Sequence, residues 1–296
     1  MTRVLLAGRG GQLGWELQRS LAPLGGLVAL DRAGMDLADP DSIHRAIADA
    51  RPEVIVNAAA YTAVDQAESQ PEVAMQINGV APGIIAEEAA RIGALMVHYS
   101  TDYVFDGRKD SPYREDDSPE PLNVYGRTKL AGEEAVRAAG GPHLIFRTSW
   151  VYSARGTNFL LTMLRLARER SELSIVDDQV GAPTWARSIA ELTARALGAD
   201  GAGPGPARDR SGVYHLAAGG AVSWFGFAQA IFAAARARRA DFKAPALEPI
   251  PTARYPRPAR RPSNSRLDTT RLAAAFGLTP PPWQQMLEQC MNEAPI

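Results

Sequence analysis

Arg3-Val-Leu-Leu-Ala-Gly-Arg-Gly-Gly-Gln-Leu-Gly14, continuing as Trp-Glu-Leu-Gln-Arg-Ser-Leu21, decides the fold. Its first five residues form a short apolar run that predicts a buried strand ending at Gly8. Apolar positions 13, 17 and 21 then fall on one face of a helix. Between strand and helix, Gly8, Gly11 and Gly14 spell Gly-x-x-Gly-x-x-Gly. Glycines there permit positive φ and close approach of the backbone, and the free N–H groups of a helix amino end suit a pyrophosphate. The placement predicts a dinucleotide site with Gly8, Gly11 and Gly14 in the turn. An ordinary tight turn is the alternative.

The rhythm continues outward from this unit. A second strand, residues 27–30, ends at Asp31, 17 residues after Gly14, where an acid can bind the adenosine ribose. Asp31 would repel a 2′-phosphate while Arg32 could pair with one, so NADH and NADPH both stay open, with Arg9 in the turn favouring NADPH. Asp36 and Leu37 flank the adenine or merely make the turn before the helix cap Asp39-Pro40. Helix 40–50, strand 53–57, helix 71–92, strand 94–100, helix 123–139 and strand 143–147 follow. Alternating strands and helices with apolar strands predict an α/β fold of the Rossmann type, a doubly wound parallel sheet.

After Arg147 the pattern loosens into a helix at about 156–170, a strand near 173–176, a helix at 184–197 and a Gly/Ala/Pro-rich loop from Gly198 to Gly212. A strand at 213–217 and a helix at 223–238 come next. Prolines at 245, 249, 251, 256, 258 and 262 then argue against any regular element of length between 245 and 262. This predicts residues 1–149 plus about 177–217 as the dinucleotide-binding domain. Residues about 150–176 and 218–296 are a smaller α+β substrate-binding lobe.

Composition bounds the partner. With 296 residues, a net charge of −1 and acids and bases evenly spread, nucleic acid and anionic membranes are poor partners, and a small molecule is expected. Cys290 is the one cysteine, so no internal disulfide can form, and neither a signal segment nor a membrane span stands out. A cytoplasmic protein is expected.

The chemistry is carried by Tyr125 and Lys129 in Asn123-Val-Tyr-Gly-Arg-Thr-Lys129. Only three of the 32 basic residues are lysines, so a chance Tyr-x-x-x-Lys is expected roughly 0.08 times in such a chain. At i and i+4 on a helix the two share a face, which predicts an ammonium beside the phenol that stabilises its anion and makes it a proton donor near neutrality. The alternative is an amphipathic helix whose tyrosine packs. Ser100-Thr101 ends the preceding strand, 24 residues before Tyr125 in the case of Thr101, so a hydroxyl and the phenol can converge on one carbonyl. Asn57-Ala-Ala-Ala60-Tyr61-Thr62 ends the third strand with small residues that let a cofactor lie close.

These segments, in this order, resemble the extended short-chain dehydrogenase/reductase superfamily, and within it the reductases of dTDP-linked 4-keto-6-deoxysugars. The likeness extends to residues 146–152, 178–184 and 259–267, beyond the cofactor apparatus, and so covers essentially the whole chain. It implies that Tyr125 donates the proton, Lys129 binds the nicotinamide ribose, and Thr101 polarises the C4 carbonyl of the sugar. It further implies that Asp102 and Trp150 contact the deoxysugar, and that Gly11, Gln12, Leu13, Ala60, Tyr61 and Thr62 line the dinucleotide. Arg260, Arg261 and Arg266 are candidates for the diphosphate, or for structural ion pairs.

The resemblance also implies a homodimer, linked in some relatives by magnesium at positions equivalent to Glu16, Arg187 and Glu293. Arg187 stands among these as a fixed positive charge, so weak or no magnesium binding is expected, and no other metal site is read. An epimerase or dehydratase on the same fold is the rival enzyme, although Tyr103 stands where dehydratases carry an acid. A dinucleotide-binding regulatory subunit is the non-enzymatic rival; the presence of Thr101, Tyr125 and Lys129 together speaks against it.

Overall fold

A computed structural model of the protein describes residues 1–198, 201 and 203–296. The chain opens with β1 (Thr2–Ala7), α1 (Gln12–Leu21), β2 (Gly25–Leu30), α2 (Pro40–Ala50) and β3 (Val54–Asn57). Two short helices, α3 (Val64–Ala67) and α4 (Pro71–Met75), precede α5 (Ala81–Ile92), β4 (Leu95–Thr101), α6 (Val124–Ala138) and β5 (His143–Thr148). The rest comprises β6 (Val151–Tyr152), α7 (Phe159–Glu169), β7 (Glu172–Val176), β8 (Val180–Gly181), β9 (Thr184–Trp185), α8 (Ala186–Ala196) and α9 (Gly205–Arg208). It closes with β10 (Gly212–His215), β11 (Val222–Ser223), α10 (Trp224–Arg238), β12 (Ala246–Ile250), α11 (Thr270–Phe276) and α12 (Trp283–Met291).

Among the described residues, six strands make one parallel sheet in the order β10-β5-β4-β3-β1-β2. The chain leaves β1 for β2 on one side and returns for β3 on the other. The glycine turn after β1 therefore sits at the switch point, where the carboxyl ends of β1 and β3 open a crevice. Strand alternation builds both faces. Val4 and Leu6 join Leu17 and Leu21 of α1 and Ile189 and Leu192 of α8 in one core. Leu5 and Ala7 join Ile43 and Ile47 of α2 and Ile85 of α5 in the other. This is the doubly wound α/β arrangement expected.

A separate core joins Leu160, Met163, Trp185, Phe227, Phe232, Trp283 and Met286, and buries Cys290, whose thiol burial pushes up to about 12. The thiol is thus inert near neutrality.

Four expectations change. Helix 71–92 is interrupted: a π-helical turn at residues 76–80 separates α4 from α5. Pro82 has no N–H to give the carbonyl of Asn78, so a regular helix could not close there. The proline-rich stretch does hold a strand, β12, parallel to β7. Its Pro249 is tolerated because β12 is the edge of a two-stranded sheet. Residues 184 and 185 form β9 rather than the start of α8. The connection from Gly198 to Gly212 carries the short helix α9, while positions 199, 200 and 202 of that expected loop lie outside the described residues.

Candidate active site

The glycine turn is built for close approach. Gly8 has φ +87°, and a Cβ there would lie 2.7 Å from the amide nitrogen of Ala59; one at Gly14 would lie 2.0 Å from the carbonyl oxygen of Gly8. Neither position tolerates a side chain. Gly11 begins α1 with no side-chain cap, leaving the first N–H groups of this ten-residue helix free for an anion. A pyrophosphate fits this uncapped, side-chain-free cradle. Gln12 accepts from Ser153 (3.0 Å) and Asn158 (2.8 Å), so its side chain ties the turn to the segment after β6. Leu13 packs against the core.

At the end of β2, Arg9 pairs with Asp31 at 2.6 Å and holds its carboxyl below the usual range. Arg32 pairs with Asp36 at 3.2 Å. The acid that would repel a 2′-phosphate is therefore already neutralised, and Arg32 beside it is largely exposed. Leu37 is 5% exposed and belongs to the core with Met35 and Ile43, so its side chain does not offer the adenine a face. The turn before α2 is closed by Asp39, whose side chain accepts from Asp41 N, as the alternative reading of this turn expects.

Ala60, Tyr61 and Thr62 follow β3 at the crevice. Asn78, bulged out by the π-helical turn, accepts from Tyr61 N (2.8 Å) and donates to Tyr61 O (3.0 Å) and Thr128 Oγ1 (3.2 Å). It locks this loop onto α6. Gly132 makes room, since a Cβ there would lie 2.1 Å from Asn78 O.

At the end of β4 the two neighbouring hydroxyls part. Ser100 donates inward to Glu133, which also receives Arg147 in a buried two-pronged ion pair (2.6 Å at the closest). Thr101 stays on the side of Tyr125, and its Oγ1 donates to Asp102 Oδ1 at 3.0 Å. Asp102 is 3% exposed, and its Oδ2 has no partner. Burial pushes this carboxyl up to about 6, with the nearby hydroxyls of Ser265 and Thr101 opposing. Asn123 caps α6 by accepting from Gly126 N (2.8 Å), and its amide donates to Arg260 O at 2.7 Å. A Cβ at Gly126 would lie 2.2 Å from Tyr103 O, so glycine lets the Tyr125 turn press onto β4's end.

The phenol and the ammonium do not behave as the helix spacing predicts. Burial, with the Asp102 carboxyl beside it, pushes Tyr125 up to about 12, and the Thr101 hydroxyl opposes this. Lys129 turns instead to β4, where Nζ donates to Tyr99 O at 2.6 Å and lies 3.2 Å from His98 Nε2. Burial brings it down to about 8, with Glu133 opposing. A lysine 2% exposed needs a buried acceptor, and the strand carbonyl supplies it.

Trp150 adopts φ +47°, and its ring stacks on Trp224 with centroids 3.5 Å apart. Gly181 leaves room for the indole, since a Cβ there would lie 2.6 Å from it. Arg261 pairs with Asp65 at 3.0 Å and Arg266 donates to Asn264 at 2.8 Å, so both are structural, while Arg260 is exposed. Arg187 bridges Glu16 (2.9 Å) and Glu293. A guanidinium between those carboxylates leaves no fit for magnesium there, and among the described residues no group of three or more His, Cys, Asp or Glu could hold a metal.

Asn78, His98, Glu133, Ser265 and Trp224 escaped the sequence reading, because each acts through a partner distant in the chain.

Residues 1–295, all but the last of the chain, match the family model described as RmlD substrate binding domain. It is 52% identical over 293 residues to the dTDP-4-dehydrorhamnose reductase of Burkholderia thailandensis, covering 98% of each chain. It is 48% identical to the enzyme of that name from Escherichia coli K12, over 98% of this chain and 97% of that one. The crystal structure of dTDP-4-dehydrorhamnose reductase from Bacillus anthracis in complex with NADP superposes with a TM-score of 0.90, at 34% identity and 99% coverage of both.

Proposed function

The chain belongs to the RmlD substrate binding domain family, and we propose that it is an NADPH-dependent oxidoreductase reducing the C4 keto group of dTDP-4-dehydro-6-deoxy-L-mannose (dTDP-4-dehydrorhamnose) to dTDP-L-rhamnose. The observation that carries this is the convergence of Thr101, Asp102 and Tyr125 at one buried strand end beside the glycine cradle. The NADP held by the Bacillus anthracis relative and the neutralised Asp31 favour the phosphorylated cofactor.

When bound, NADPH supplies the hydride for C4. Gly8, Gly11, Gln12, Leu13 and Gly14 hold its pyrophosphate, Asp31 with Asp36 borders the adenosine ribose, and Ala60, Tyr61 and Thr62 line its path. Lys129 serves the nicotinamide ribose. Thr101 positions the keto oxygen, and Tyr125 gives its phenolic proton to that oxygen as charge develops there. A phenol raised to about 12 is fully protonated at neutral pH and so has its proton to give. The unpartnered Asp102 Oδ2 accepts a sugar hydroxyl, and the Trp150 ring, fixed by Trp224 and Gly181, borders the deoxysugar. No step passes through a metal.

Residues 1–149 with about 177–217 serve the dinucleotide, and about 150–176 with 218–296 serve the sugar nucleotide. A cytoplasmic enzyme is the expectation, with a homodimer as the assembly that the resemblance allows. Among the described residues no helix is long and apolar enough to cross a membrane.

The test is loss of nicotinamide absorbance on mixing NADPH with the 4-keto sugar nucleotide. Wild type should turn over and Tyr125→Phe should be slower by about 10²- to 10⁴-fold. No turnover by wild type, or undiminished turnover by the variant, would contradict the reading. A tightly held, stoichiometric NAD released on denaturation would instead favour an epimerase.

A further inference from the structure

A buried line of polar groups runs from the end of β3 to α6. Ala59 N–H donates to Asn57 Oδ1 (3.2 Å), Asn57 Nδ2 lies 3.3 Å from His98 Nδ1, and His98 Nε2 lies 3.2 Å from Lys129 Nζ. Asn57 and His98 are each 1% exposed, so these bonds must be satisfied within the line itself. Its polarity is fixed at one end by a backbone N–H, which can only donate. Turning the Asn57 amide over would set its NH₂ against that N–H, so Oδ1 accepts and Nδ2 donates. His98 Nδ1 must then accept, which places the proton of the neutral ring on Nε2, facing Lys129.

An ammonium has three donors and no acceptor, and would oppose this N–H; an amine has the lone pair to receive it. We propose that Asn57 and His98 are a positioning pair that favours the neutral amine form of Lys129 in the unliganded chain. The assignment deepens the role of Lys129 at the nicotinamide ribose, on which its functional meaning rests: charging Lys129 requires its contact with His98 to be exchanged.

The surroundings agree. Burial drives His98 well below the usual histidine range, so the ring is neutral. From α6, Glu133 is the carboxylate one turn beyond Lys129, but Arg147 of β5 and Ser100 of β4 already engage it. Asp102 lies at the far end of β4 beside Thr101, and Tyr125 is held neutral by burial.

With lysines only at 109, 129 and 243, nitrogen-15 labelling of lysine and histidine in the unliganded protein gives a resolved readout. We expect His98 as the Nε2–H tautomer, and Lys129 as an amine at about pH 9, below the ordinary lysine range. In His98→Phe the Lys129 proton affinity should rise about tenfold or more, and Asn57→Asp should convert His98 to the Nδ1–H tautomer. An Nδ1–H tautomer in wild type, Lys129 still an ammonium at about pH 9, or a midpoint unmoved in His98→Phe would each overturn the proposal. Neither cofactor nor substrate is present in these measurements, so their failure leaves the reductase assignment standing, and the Tyr125→Phe assay judges that assignment separately. Should Asn57→Asp fail to fold, wild type and His98→Phe suffice.

Discussion

Asp102 is buried with one carboxyl oxygen unpartnered, a cost the unliganded fold bears for the sake of the site. Its folded pKa of about 6 lies above the usual value of 3.8, so between these two pH values the folded chain binds more protons than the unfolded one. Stability from this group is therefore full below about pH 4 and falls by about 3 kcal/mol as pH rises through 6. Asp102→Asn should flatten that slope in denaturation followed from pH 4 to 8, while raising KM for the sugar nucleotide; an unchanged slope would show that the carboxyl is not strained. Glu133 is the opposite case, with both oxygens engaged by Ser100 and Arg147. Removing its charge in Glu133→Gln leaves the Arg147 guanidinium buried without its counter-ion, and a loss of about 3–5 kcal/mol in denaturant unfolding is expected.

The elements that position these side chains depend on glycines and on one irregular turn. At Gly132 the helix α6 touches the π-helical turn of Asn78, and Gly132→Ala should cost about 1–3 kcal/mol through overpacking, with cofactor affinity reduced because Asn78 also holds Tyr61. Thermal unfolding and NADPH titration of the variant check both effects. The strand-turn-helix alternation was legible because each strand is an apolar run with both faces buried, as in β3 and β4. The π-helical turn was not, because residues 71–92 keep helical periodicity across it and only the position of Pro82 betrays the break. β12 was missed for the converse reason: Pro249 argues against a strand until the edge position is known. The left-handed Trp150 left no local mark, since the Trp224 and Gly181 that hold it lie 74 and 31 residues away.

Across the molecule, residues that define the chemistry were read from short motifs, whereas their electrostatics come from folding. Tyr125 and Lys129 share a helix, yet the Lys129 nitrogen expected beside the phenol faces Tyr99 and His98, some thirty residues earlier in the chain. Arg187 illustrates the same point for the assembly: its guanidinium joins α8 to Glu16 of α1 and to Glu293 after α12. Extraction with EDTA should therefore leave turnover unchanged, and lost activity restored by magnesium would contradict this. The central claim is hydride delivery to the C4 carbonyl, and the direct measurement is the fate of deuterium from NADPH deuterated at the transferred position of the nicotinamide. The expected product is dTDP-L-rhamnose carrying deuterium at C4 in its NMR spectrum; a product with only protium at C4, or with the label on another carbon, would contradict hydride delivery to C4.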